Sequence, residues 1–177
     1  MKKKLGLLVA SVSLALACIF TFAGCSFFQA KEKTFEKAGM SITLTTDFVE
    51  KDIVSQTVYY ESRKAIVTAL KEEFTSFPGA ADYTIERYTD LTISGNNLDS
   101  QAYSREGQAY MYFSYQRSVS GKTYYYLATT HKMSDAFWLI QFACMADDKD
   151  KYIEQFLKWA DTVTDLQQTP DVPENIV

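Results

Sequence analysis

Few side chains beyond the first two dozen residues are equipped for catalysis, and their spacing limits what they could do. His131 is the one histidine of the chain. A zinc centre wants several His or Cys ligands, so a histidine-based metal site is not expected. A nucleophilic triad could use His131 as its base, but no Gly-x-Ser-x-Gly elbow accompanies it. Beside Lys132, at the end of a strand-like run, it reads instead as an edge or loop residue. There is no Gly-rich phosphate loop, no His-Glu-x-x-His and no Cys-x-x-Cys, and hence no cofactor to expect. In Tyr60-Glu61-Ser62-Arg63-Lys64 a lysine follows a tyrosine at a spacing that could lower a phenol's pKa for proton transfer. Nothing nearby supplies a nucleotide fingerprint, and the spacing reads as chance. Asp147, Asp148 and Asp150 lack the order of a calcium loop and suit the capping of a helix start. Cys144, within Trp138-Leu139-Ile140-Gln141-Phe142-Ala143-Cys144, reads as a buried inert thiol.

Tyrosine is the remaining conspicuous type, with 12 in the chain. Tyr103, Tyr110, Tyr112, Tyr115, Tyr124, Tyr125 and Tyr126 crowd one region. Tyrosines pack well as cross-strand pairs, and they also make rigid contact surfaces at low entropic cost. Successive strand residues point to opposite faces, so Tyr124 to Tyr126 cannot all enter one core. The face holding Tyr125 and Leu127 is expected inward, for its larger aliphatic residue. Tyr124 and Tyr126 are then nearer the surface and form the candidate binding surface, with packing and recognition both open.

The elements that would carry these residues are mostly strands. Met40, Ile42 and Leu44 alternate with Ser41, Thr43 and Thr45, a half-buried strand. Val58-Tyr59-Tyr60 and Ala65–Leu70 are further strand candidates, the second for its β-branched Ile66, Val67 and Thr68. After the break at Phe77-Pro78-Gly79, the apolar positions Ala81, Ile85, Tyr88 and Leu91 predict a helix closed by Gly95-Asn96-Asn97. Segments 109–117 and 122–131 flank Val119-Ser120-Gly121 as a hairpin, and 136–145 completes a meander. A final helix presents Ile153, Phe156, Leu157, Ala160 and Val163 as one stripe.

The amino terminus reads as an export signal. Lys2, Lys3 and Lys4 precede an apolar run from Leu5 to Phe22, which ends in Ala23-Gly24-Cys25. The run is also long enough to cross a bilayer, for which about 17 to 25 residues suffice. The small pair directly before a cysteine decides for another reading, because it resembles the lipobox of bacterial lipoproteins. Cys18, after Ala15-Leu16-Ala17, is the rival acceptor. The resemblance implies cleavage after residue 24 and a diacylglycerol thioether on Cys25. The expected organisation is a signal peptide at 1–24, a lipidated tether at 25–33, one domain at 34–166 and a loose tail at 167–177. The place implied is the extracytoplasmic face of a bacterial cell membrane, with the lipid on Cys25 holding the domain there. Phe27 and Phe28, beside the lipid site, are expected at the membrane interface. Loss of residues 1–24 removes three lysines and no acid from 18 basic and 22 acidic residues, leaving a formal charge of −7. Such a chain is not a nucleic-acid binder by default, and lipid rather than net charge must keep it at an anionic membrane.

The element order also resembles a known family. The run from Phe137 to Ala143, leading to Phe156-Leu157-Lys158-Trp159-Ala160-Asp161-Thr162-Val163, is similar to the end of PsbP-like domains, which include the DcrB-like lipoproteins. The opening from Gly39 to Leu44, up to Phe48, is similar to their first strands. The resemblance spans about residues 34 to 165 and implies an α+β fold, an antiparallel sheet flanked by helices. It carries no active site across, since members are mostly accessory or assembly factors. The function expected is a non-enzymatic binding or assembly domain for an envelope protein. A small-ligand receptor with a tyrosine-lined pocket, or a hydrolase acting on envelope material, are the alternatives.

Overall fold

The computed structural model describes residues 31–76 and 78–168. The expected signal peptide, Cys25, Phe27, Phe28 and the tail beyond Gln168 lie outside the described residues. The chain opens with a hairpin, β1 (Glu32–Lys37) and β2 (Met40–Thr45), followed by β3 (Val49–Glu50), β4 (Val58–Glu61) and β5 (Ala65–Glu73). Helix α1 (Ile85–Gly95) leads to β6 (Tyr103–Ser104), β7 (Tyr110–Val119), β8 (Lys122–Lys132) and β9 (Ala136–Met145). Helix α2 (Lys149–Ala160) and β10 (Thr164–Asp165) close the domain. Strand β1 begins two residues before the Thr34 boundary expected from sequence.

Seven strands form one antiparallel sheet in the order β3-β4-β5-β9-β8-β7-β6, and β1-β2-β10 form a second, smaller sheet. The long central strands follow from their composition. β-Branched Ile66, Val67 and Thr68 suit a pleated surface, and β9 is apolar on both sides because both its faces are covered. Turn chemistry fixes the register. Ser120 and Gly121 take φ 50° and 77°, the left-handed pair of a two-residue hairpin turn, and set Val119 opposite Lys122. At the β1–β2 turn Gly39 sits at φ 92°, where an added Cβ would come within 2.7 Å of the Gln167 side chain.

One face of the large sheet carries the main core. Val67, Tyr125, Leu127, Trp138, Ile140 and Phe142 meet Phe156 and Trp159 of α2 and Phe35, Ile42 and Leu44 of the small sheet. Ser41 is buried too, because its hydroxyl hydrogen-bonds Thr164 of β10 at 2.6 Å. The opposite face receives α1, whose Ile93 packs with Phe113, Ala128 and Leu139. The Thr84 hydroxyl caps α1 by accepting from the Arg87 amide at 3.2 Å.

Three local expectations need correction. Ala81 is exposed in a short 3₁₀ turn, and the face α1 buries is Tyr88, Thr89, Thr92 and Ile93. Its threonines are hidden because their hydroxyls are satisfied: Thr92 donates to the Tyr88 carbonyl at 2.9 Å, and Thr89 bonds Thr130 of β8 at 2.6 Å. Asp148 occupies the N-cap of α2, yet its carboxylate makes no cap bond and pairs with Lys151. His131 is no edge residue: it lies in β8, an internal strand, and is buried.

Candidate functional site

The tyrosine surface expected at Tyr124 and Tyr126 is not exposed. Tyr124, Tyr125 and Tyr126 keep 3%, 7% and 1% of their surface open. Tyr125 and Leu127 do face the main core, as their size suggested. Tyr124 and Tyr126 point the other way and join Tyr59, Ile66 and Ala143 in a separate cluster. Register explains the crowding. Tyr126 is flanked by Tyr115 on β7 and Ala143 on β9, so the small alanine leaves room for a ring. The rings of Tyr115 and Tyr126 stack with centroids 4.8 Å apart and planes 3° apart, and the Arg117 guanidinium lies 5.9 Å over Tyr115.

Beside this cluster, where α1 ends, Asn96, Leu98, Phe113, Tyr115, Arg117 and Gln141 line a cleft of about 10 Å³, room for one water. Two buried polar atoms of this face have no partner, the Gln141 Oε1 and the Tyr126 hydroxyl. Burial pushes the Tyr126 phenol up to about 12. Gln141 was legible in the sequence only as the one polar residue in an apolar run. Drug-sized ligands occupy clefts of about 300 Å³ and more, so this opening does not match the tyrosine-lined pocket of a small-ligand receptor.

The groups that could have done chemistry are spent on packing. Desolvation drives His131 down to about 3, so at neutral pH its imidazole is uncharged. Its Nε2 lies 3.0 Å from the Thr129 hydroxyl, and the Tyr110 ring stands 5.0 Å away. Tyr110 donates to Asp161 at 2.7 Å, and Arg105 donates to the same carboxylate at 2.9 Å. This clamp ties β7 and the preceding loop to the C-cap of α2. Cys144 is buried, and desolvation raises its thiol to about 12, the inert state expected of it. Tyr60 and Lys64 are not brought together as a proton relay: Tyr60 packs its ring on Phe35 at 4.6 Å, while Lys64 is exposed on a turn. Among the described residues, no three His, Cys, Asp or Glu side chains are grouped to hold a metal ion.

The architecture is that of the PsbP-like α+β domains. Cyanobacterial PsbP (CyanoP) from Synechocystis sp. PCC 6803 is similar to this chain with a TM-score of 0.56 and 12% identity, over 81% of this chain and 98% of that one. A protein from Bacteroides thetaiotaomicron VPI-5482 is similar with a TM-score of 0.51 and 12% identity, over 78% of this chain and 49% of that one. LpqN, involved in cell envelope biogenesis of Mycobacterium tuberculosis, aligns at a TM-score of 0.44 and 11% identity, over 77% and 91% of the two chains. No family model and no curated protein matches the sequence. Among the described residues, no helix is long and apolar enough to cross a membrane.

Proposed function

We propose that this protein is an extracytoplasmic lipoprotein, acylated at Cys25, whose PsbP-like domain works by binding or assembly and not by catalysis. The observation that carries the anchor is the order Phe22-Ala23-Gly24-Cys25 after a basic start and an apolar run, only a few residues before the first strand. Two acyl chains hold a protein stably where one does not, and a diacylglycerol thioether supplies two. Support for a non-catalytic role comes from the fate of the reactive side chains. His131 and Cys144 are buried in packed strands, and Asp161 is engaged by Arg105 and Tyr110. The partner this favours is another envelope component, met by a domain that the lipid keeps at the membrane. Cys25→Ser tests the reading. A serine oxygen does not take the lipid, so the variant should lack acyl mass by mass spectrometry and accumulate as uncut precursor. Normal processing with membrane retention would refute it.

A further inference from the structure

The course of β1 tells which end of the domain its amino-terminal tether leaves from. The Lys31 carbonyl accepts from the Thr46 amide at 2.7 Å, Phe35 packs on Tyr60, and the Ala38 carbonyl accepts from Lys71 at the far end of β5. Strand β1 therefore runs beside β4 and β5, with Lys31 toward Ala65 and the β1–β2 turn toward Glu73. Ala65 and Tyr125 both lie opposite Cys144, so the β4–β5 and β7–β8 turns share the Lys31 end. These turns expose Arg63, Lys64 and Lys122, with no acid in Ser62–Lys64 or Ser120–Lys122. The start of α2, also at this end, holds Asp147, Asp148 and Asp150 among Lys149 and Lys151, and Glu61 before the β4–β5 turn pairs with Lys51. The opposite rim carries Glu73, Asp82, Asp135 and Asp165 against Lys71, which pairs with Asp135, and Lys132.

Tether length makes this polarity matter. From Cys25 to Lys31 the chain spans at most about 21 Å, while the nine residues of β5 stretch about 30 Å between the two ends. We infer that the rim formed by the β4–β5 and β7–β8 turns rests on the membrane, with Arg63, Lys64 and Lys122 against anionic lipid headgroups and the acidic start of α2 tilted away. The Asp82 end would then face the envelope space. The net acidity of the chain opposes an anionic surface, so local basic turns beside the tether decide the orientation. This rests on acylation at Cys25.

The test uses the full lipidated protein in vesicles of phosphatidylcholine and phosphatidylglycerol, in a Cys144→Ala background. Lys64→Cys, Lys122→Cys and Asp82→Cys are each labelled with a fluorophore that brightens on leaving water. A severalfold rise at positions 64 and 122, with little change at 82, is expected. Lys64→Glu should suppress the rise at 122, and Lys122→Glu the rise at 64, while the protein still sediments with the vesicles. Equal signals at both ends, or a rise at 82 alone, from acylated protein would overturn the orientation and leave the anchor standing. Protein that carries no acyl mass and stays in the supernatant would defeat the anchor, and the orientation with it.

Discussion

Tyr110 and Asp161 meet at 2.7 Å across the domain, the phenol of β7 donating to the carboxylate of the residue at the C-cap of α2. Arg105 donates to the other oxygen of the same group, so one acid receives partners from β7 and from the loop before it where the last helix ends. Hydrogen bonds to charged acceptors are worth about 1.5 to 3 kcal/mol. Tyr110→Phe removes one of them and leaves the ring packing intact. Denaturant unfolding should show a loss in that range. A loss under about 0.5 kcal/mol would mean that Arg105 alone secures the clamp.

Phe156 docks helix α2 on the large sheet through Phe142, together with Leu157, Trp159 and Ala160. It is fully buried, with ring neighbours Phe142 at 5.5 Å, Tyr152 at 5.3 Å and Trp159 at 5.8 Å. Phe156→Ala should cost about 3 to 5 kcal/mol, read as a fall in the denaturant midpoint at unchanged slope. A cost under about 1 kcal/mol would show that the helix stays docked without this ring.

Much of this was legible because periodicity and turn chemistry agree with each other. Met40, Ile42 and Leu44 alternate as a strand should, and all three are buried. Ser120-Gly121 places the hairpin where the left-handed turn forms. Illegible were the places where polar groups are buried by virtue of a specific partner. Thr89 and Thr92 line the inner face of α1 because Thr130 and a backbone carbonyl satisfy them, and no apolar period records that. His131 looked like an edge residue because its sequence neighbours do not reveal that β6 and β7 lie outside β8. For Tyr124 to Tyr126, alternation separated the faces correctly but could not tell that both would be covered. Tyr124→Ala and Tyr125→Ala should therefore both destabilise strongly, by about 3 kcal/mol or more in unfolding measurements. Near-native stability of Tyr124→Ala would restore an open tyrosine face.

The unpartnered polar atoms near α1 make an opposite prediction. A buried hydroxyl with no partner carries its desolvation cost of about 1 to 3 kcal/mol, so removing it should help. Tyr126→Phe keeps the stack on Tyr115 and should raise stability by about 1 kcal/mol. Gln141→Met, similar in volume, should act in the same direction. If Tyr126→Phe instead lowers the melting temperature, the hydroxyl has a partner, and a water ordered in the adjacent cleft becomes the first candidate for a high-resolution crystal structure.

His131 should make the domain sensitive to mild acid. Its burial lowers the folded-state pKa from 6.5 to about 3, with desolvation as the cause. In the unfolded chain the imidazole protonates near its ordinary value. Above pH 6.5 both states are neutral at this residue and it contributes no slope. Below that, the unfolded state binds a proton that the folded state refuses, and stability falls by about 1.4 kcal/mol per pH unit until the folded pKa is reached. Most carboxylates titrate at lower pH, but burial raises the Glu72 carboxyl, which adds stability as pH falls. The histidine is therefore read between about pH 6 and 5 as a difference from a variant that lacks it. Unfolding free energies measured across that window should fall steadily in the native sequence. His131→Gln keeps a polar group near Thr129 but cannot titrate, so its profile there should lack the histidine's fall even if its overall stability is lower. Equal slopes in the two proteins would mean that the imidazole is not kept neutral by burial.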